Sequence, residues 1–326
     1  MRLLHWFLCW WLLRVGRTKG EGSNGSEEHV PNAIDEARWK RYKCDGTERQ
    51  NAQSCAREGE TFSTWLTRQM GNETYEKLAC YVDKSAVKYY VKTVVPEMKV
   101  PTTLAVFEEA NLHELSKFAF PSTFALKAVH GSGMGILATN NVVYEGNVGS
   151  LHPNQTINPA VLQDSIRLWL NTSYKVDQEW QYRHIQKAVV LEEFLGAVLP
   201  INLKVFLFQS KAIALDICRF VPISGALGNV RERVSRIKQT GSKPLTTSFA
   251  RSRVWKNSKT MIGAKLLEDI FNFSARIASG FRFARVDFYV VDGTIYFNEI
   301  TLSPETGKKK LDIHFTHLDM RLLGMC

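Results

Sequence analysis

Residues 281–307 read FRFARVDFYVVDGTIYFNEITLSPETG. Apolar residues alternate on both sides of Asp292-Gly293, the pattern of two short strands joined by a tight turn. Three charges, Arg285, Asp287 and Glu299, stand in or beside those apolar runs. Charge among buried side chains is costly unless it is paired or bound to a metal. Register decides whether the three act together, because side chains alternate faces along a strand and directly paired residues share one. A two-residue turn pairs Val291 with Thr294, sets Asp287 opposite Asn298 and turns Glu299 away. A three-residue loop over 291–293, with Gly293 left-handed, pairs Val290 with Thr294 instead. Arg285, Asp287 and Glu299 then share a face, with Arg285 across from Glu299. The three-residue loop is the reading adopted; an ordinary surface hairpin with an Arg–Glu pair is the alternative.

A second informative stretch lies upstream. Phe124–Val129 reads as a strand, Gly131–Gly135 (GSGMG) as a flexible turn and Ile136–Thr139 as a returning strand. Gly-rich backbone approaches phosphates closely and can point N–H groups at them. No Gly-Lys-Ser/Thr follows and the next element is a strand, so this is not a Walker A loop. The signatures of a protein kinase are absent too. A plain hairpin turn is the bland reading. Lys127, inside the strand before the loop, weighs against it, because a lysine in an apolar strand needs an anion. Lys204 repeats the pattern in the strand Asn202–Phe208. Between them, Ala188–Leu191 forms a strand that ends at Glu192-Glu193. That hinge can offer backbone groups to an adenine edge, or can be a surface acid pair.

The remaining elements frame these. Residues 36–82 look helical and irregular, rich in aromatics, and suit a cap on the main domain. Asp83–Val95 is a capped helix, Thr103–Phe107 a strand, Ser165–Tyr174 an amphipathic helix ending near Asn171, and Ile262–Ser279 a helix closed by Gly280. The 326 residues carry a net charge of +10 with 44% hydrophobic content, enough for a core and favouring anionic partners. Basic residues are not interleaved with aromatics, and no zinc-finger or RNA-recognition motif occurs, so nucleic acid is not expected as a partner. The stretch 221–258 is basic with a single acid, Glu232; it reads as a substrate-gripping loop or a solvated one.

Residues 1–20 hold an apolar run, Leu3–Leu13, flanked by basic residues. It is too short for a membrane span of roughly 20 residues and fits a secretory signal core of roughly 7–15 residues. The small-residue cleavage pattern is poor, which leaves a retained anchor open; a mitochondrial presequence is the runner-up. Sequons at Asn24, Asn72, Asn154, Asn171 and Asn272 add to the expectation of a secretory lumen or secreted glycoprotein, with mitochondrial or cytoplasmic placement as alternatives. No stable membrane span is expected unless the leader is retained. Among six cysteines, Cys44 and Cys55 could close a small loop, or remain thiols.

The ordered set of strand lysine, glycine loop, Glu-Glu hinge, second strand lysine, then Arg-x-Asp and Glu resembles the ATP-grasp superfamily. Within it the chain is similar to the TupA-like family, linked to bacterial teichuronopeptide and cell-surface polysaccharide biosynthesis. DKSAVKYYV, ALKAVHGSGMG, the WLN…EWQYRHI run, VVLEEFL, the strand around Lys204 and the 281–307 stretch carry the resemblance, over about two thirds of the chain. It implies an α+β ATP-grasp fold: two α/β subdomains with mixed or antiparallel sheets clasping ATP, here 83–195 and 196–326, behind a leader (1–20) and a linker with a helical region (21–82). It implies that Lys127 and Lys204 hold ATP phosphates and that Gly131, Ser132, Gly133 and Gly135 belong to the loop covering them. Glu192, Glu193 and Leu195 would frame adenine and ribose, Asp287 and Glu299 would carry Mg²⁺, and Arg285 would stabilise the transferring phosphoryl group. The implied activity is a carboxylate–amine ligase working through an acyl-phosphate on an anionic glycan or peptide acceptor. Alternatives are a sugar kinase or a non-catalytic nucleotide-binding protein on the same fold. Thr301 stands where many relatives have Asn, Asn202 where an acid is common, and Met134 lies inside the loop.

Overall fold

Strand periodicity builds two antiparallel five-stranded sheets. The first contains β1 (Thr103–Phe107), β2 (Phe124–Ala128), β3 (Gly135–Thr139), β4 (Val142–Gly146) and β5 (Val189–Glu192), in the order β1-β5-β2-β3-β4. The second contains β6 (Ile201–Phe208), β7 (Lys211–Ile223), β8 (Ala226–Ser235), β9 (Phe283–Val291) and β10 (Thr294–Thr301), in the order β10-β9-β6-β7-β8. The main helices are α1 (Ala33–Tyr42), α2 (Phe62–Met70), α3 (Ala86–Val94), α4 (Pro159–Asn171) and α5 (Ala264–Ile277). The computed structural model describes residues 32–146, 156–174, 180–195, 200–223, 226–235 and 262–304. The expected leader, the sequons at Asn24 and Asn154, and much of the basic 221–258 stretch lie outside them. Among the described residues, no helix is long and apolar enough to cross a membrane.

Each sheet has one face on a helical core. In the first, Phe124, Leu126, Ala128, Val189 and Leu191 pack with Leu162, Ile166 and Trp169 of α4. Asn158 caps that helix through its side chain and Pro159 opens it, so it starts earlier than the expected Ser165. In the second, Leu203, Val205, Leu207, Ala284, Val286 and Phe288 meet Val87 and Val91 of α3 and Leu267, Ile270 and Ile277 of α5. The 267/270/277 spacing is a helical stripe. Asp83 starts α3: its Oδ1 accepts from the Ser85 N–H at 2.9 Å and the Ala86 N–H at 3.0 Å. The N-terminal region is a helical cap, as expected. Its α2 covers one end of the second sheet's opposite face, with Phe62 and Trp65 packed on Phe206, Phe208 and Phe283.

Two expectations need correction. The 281–307 hairpin does not have a three-residue loop. Asp292 and Gly293 both take positive φ, 46° and 74°, so the turn has two residues and Val291 pairs with Thr294. The register then shifts between Phe297 and Glu299, leaving Asn298 as the extra residue of a β-bulge. Glu299 pairs with Asp287, and Arg285 lies across from Thr301 rather than Glu299. One extra residue reverses the alternation, so Glu299 reaches the charged face by a different route. The second correction concerns cysteine. Cys44 bonds Cys80, and Cys55, itself in a disulfide, does not close a small loop with it.

Phe62 is fully buried, with ring centroids 5.2 Å from Phe208 and 4.9 Å from Phe283. Phe62→Ala should cost about 3–5 kcal/mol of unfolding free energy in urea. A loss below about 1 kcal/mol would mean that α2 is not docked there.

Candidate functional site

The second sheet's polar face is set by alternation along β6 and β9. Leu203 and Val205 enter the core; Asn202 and Lys204 face the other way. Register aligns Asp216 with Lys204, Lys204 with Asp287, and Asp287 with Glu299, a charged row crossing four strands. Arg285 lies one position on and binds back into the row. Its Nε donates to Asp287 Oδ1 at 2.7 Å and its Nη2 to Asp287 Oδ2 at 2.7 Å. The same Nη2 reaches Glu299 Oε1 at 3.1 Å and Thr301 Oγ1 at 2.9 Å. Lys204 Nζ stands 3.6 Å from Asp287 Oδ2.

Burial dominates the ionisation of this group. It pushes the Asp287 carboxyl above the usual range despite Arg285 and Lys204. Burial pushes Glu299 the same way, but Lys84, Arg285, Lys204 and Lys127 outweigh it and hold Glu299 low. Burial also disfavours the Arg285 cation, and Asp287 more than offsets that.

The first sheet brings Lys127 to the same place. Its Nζ lies 2.7 Å from Glu192 Oε2, donates to Asn298 Oδ1 at 3.4 Å, and sits 5.4 Å over the Tyr289 ring. Lys127 thus touches the bulge that turns Glu299 inward. Glu192 is also met by Lys88 Nζ at 2.5 Å. Its burial favours protonation, but Lys127 and Lys88 prevail and bring its pKa down to about 2. The Glu192-Glu193 step is therefore not a surface acid pair. Glu193 Oε1 accepts from the Thr102 N–H at 2.8 Å, which pins the hinge.

Between the sheets lies a cavity of about 230 Å³ that opens to solvent. Ala125, Lys127 and Leu137 line it from one sheet, Asn202, Lys204, Cys218 and Tyr289 from the other, and Glu192 to Leu195 from the hinge. The Asn202 Oδ1 is buried there without a hydrogen-bond partner. Lys127, Lys204, Glu192, Glu193 and Leu195 are thus brought together, and Lys204 connects them to Arg285, Asp287 and Glu299.

The glycine loop sits beside this cavity and does not line it. Gly135 pairs with Lys127, Gly133 has φ of 77° and Ser132 is exposed. Gly131 sits in a tight spot: an added Cβ would lie 2.3 Å from Met134 Cε, the movable end of that side chain, and 3.0 Å from Tyr174 Cγ. Two lysines that sequence reasoning did not single out complete the arrangement. Lys84 donates to Ala128 O at 3.1 Å and to Gly131 O, gripping the root of the loop. Lys88, fully buried, bonds Pro101 O and Thr103 Oγ1, both at 2.9 Å, besides Glu192. Both belong to DKSAVKYYV; for Lys88 the available signal was a lysine on an apolar helix face, whereas Lys84 lies in the turn before the helix.

The sequence profile of the TupA-like ATPgrasp family matches residues 63–320. The chain belongs to that family. Its two antiparallel sheets with helices are the α+β ATP-grasp fold. Similar solved structures include a D-alanine–D-alanine ligase from Bacillus anthracis, at 15% identity and TM-score 0.40, covering 77% of this chain and 69% of that one. VanG D-Ala:D-Ser ligase from Enterococcus faecalis is 14% identical with TM-score 0.41, covering 84% and 68%. The ATP-grasp ligase PsnB complexed with minimal precursor is 11% identical with TM-score 0.38, covering 81% and 69%. No protein of curated function matches the sequence.

The donor set suits the magnesium ion implied by this family. Asp287 and Glu299 are hard oxygen donors paired across two strands. Among the described residues no cluster of three or more His, Cys, Asp or Glu could hold a metal alone. Mg²⁺ commonly uses one or two carboxylates and takes its remaining ligands from water and substrate phosphates.

Glu192 generates a pH prediction. Its folded pKa lies below the ordinary 4.5, so its contribution to stability is complete above pH 4.5 and lost as pH falls toward 2. Glu192→Gln should therefore show a shallower decline of unfolding free energy across that window than wild type. Equal slopes would contradict the buried Lys88–Glu192–Lys127 arrangement.

Proposed function

We propose that this protein is an ATP- and Mg²⁺-dependent carboxylate–amine ligase acting on an anionic glycan or peptide acceptor. The observation that carries the reading is a cleft lined by two strand lysines, one of which, Lys204, stands against the buried Arg285–Asp287–Glu299 cluster. Family membership supports the nucleotide: ATP would lie in the cavity, with its base against 192–195 and its phosphates toward Lys127 and Lys204. Asp287 and Glu299 would hold Mg²⁺, which would neutralise phosphate charge. These charges contact one another. Binding Mg·ATP would exchange partners, with the cations turning from carboxylates to phosphates.

The chemistry follows from that charge distribution. A substrate carboxylate oxygen attacks the γ-phosphorus, the β–γ bridging bond breaks and ADP leaves. Arg285 and Lys204 stabilise the transferred negative charge, the kind of preorganised electrostatics that lowers such barriers. An amine then attacks the activated carbonyl, the C–O bond to phosphate breaks, and the amine gives up a proton as the amide forms. A role in cell-surface or secreted glycan assembly is part of the proposal. Cys44–Cys80 supports an oxidising compartment, where disulfides persist.

Hydroxylamine trapping tests the chemistry. With ATP, Mg²⁺ and candidate acids, a hydroxamate should accumulate as ADP is released. Phosphorylated hydroxyl product without hydroxamate would make the protein a kinase. Asp287→Asn and Glu299→Gln should each lower ATP turnover by about 100-fold or more; unchanged turnover would refute the metal assignment.

A further inference from the structure

Helix α1 lies upstream of the family-matched residues 63–320, yet it sends buried polar groups to the start of α3. Arg38 is 2% exposed. Its Nη2 donates to Asp83 Oδ2 at 2.5 Å and to Gln186 O at 3.0 Å, while Nη1 meets Glu108. Tyr42 Oη adds a second donor to Asp83 Oδ2 at 2.7 Å. Asp83 in turn caps the segment whose next residue, Lys84, grips the glycine-loop root. Asp35, 1% exposed, accepts from Ser85 Oγ and from Thr103 Oγ1, each at 2.8 Å. Thr103 accepts from Lys88, the partner of Glu192.

Two polar chains therefore run from α1, one through Asp83 to Lys84 and the loop, the other through Thr103 and Lys88 to Glu192 and Lys127. A solvated helix face would not bury Asp35 and Arg38. A brace needed only for stability would be met by apolar packing, since replacing buried ion pairs with apolar side chains is often neutral or favourable. The Cys44–Cys80 bond closes the same unit, joining the segment after α1 to the short helix Ala79–Val82 that precedes Asp83.

We propose that Arg38 is a positioning residue: through Asp83 it fixes where Lys84 holds the glycine loop, so α1 sets, from outside the family core, where that loop lies beside the nucleotide cleft. This deepens the ATP-dependent reading and rests on it for the nucleotide, but its effect on the loop does not.

Hydrogen exchange of amides 131–135 in full-length protein without nucleotide, and titration with Mg·ATP, provide the test. Arg38→Met should speed loop exchange at least about fivefold and weaken Mg·ATP binding by a similar factor, with Arg38→Lys falling between it and wild type. Lys84→Met should do the same, and the double variant should be no worse than Lys84→Met alone, because both act through one contact. If Arg38→Met does not fold, Arg38→Lys carries the comparison. Unchanged loop exchange in Arg38→Lys and Arg38→Met, or effects that add fully to those of Lys84→Met, would overturn the proposal. Wild type that fails to bind Mg·ATP while loop exchange responds as stated would overturn the nucleotide reading and leave the loop brace standing.

Discussion

One extra backbone residue, Asn298, is the constraint on which the polar cleft depends. Without the bulge, the two-residue turn at Asp292-Gly293 would send Glu299 to the opposite face from Asp287. With it, the two carboxylates pair directly and Arg285 spans both. Bulges often re-aim a side chain next to active sites. The Asn298 side chain also accepts a hydrogen bond from Lys127, so the irregularity that orients the acid contacts a lysine of the other sheet.

The cleft holds its charges at the expense of desolvation, which is why each has a close partner. Glu192 lies between Lys88 and Lys127, Asp287 between Arg285 and Lys204. A buried charge stripped of its partner is strongly destabilising. These pairs therefore hold their groups in a fixed geometry that Mg·ATP would enter by partner exchange. The helical cap belongs to this scheme and is more than a cover, because Arg38 and Asp35 supply the polar groups that anchor α3.

Much of this was legible in the chain itself. The strands around Lys127 and Lys204 showed as single charges in apolar runs, and the structure places both lysines on the cleft. The ATP-grasp fold was legible only through the resemblance that these segments, taken in order, bear to that superfamily. The hairpin loop was misread because a bulge without glycine leaves no mark in an alternating pattern; which residue is extra depends on pairing across strands. Sequence proximity offers Cys55 as a possible partner for Cys44, whereas folding of the cap brings Cys80 to it. Lys84 and Lys88 were passed over because their partners, Gly131 and Glu192, are distant in sequence and become neighbours only when α3 packs beside the first sheet.

A crystal structure with Mg²⁺ and a non-hydrolysable ATP analogue tests the central claim most directly. The account predicts one Mg²⁺ within about 2.0–2.1 Å of carboxylate oxygens from both Asp287 and Glu299, beneath phosphates contacted by Lys127 and Lys204. A metal bound elsewhere, or a nucleotide lying outside the cleft while Arg285 keeps both carboxylates, would contradict it.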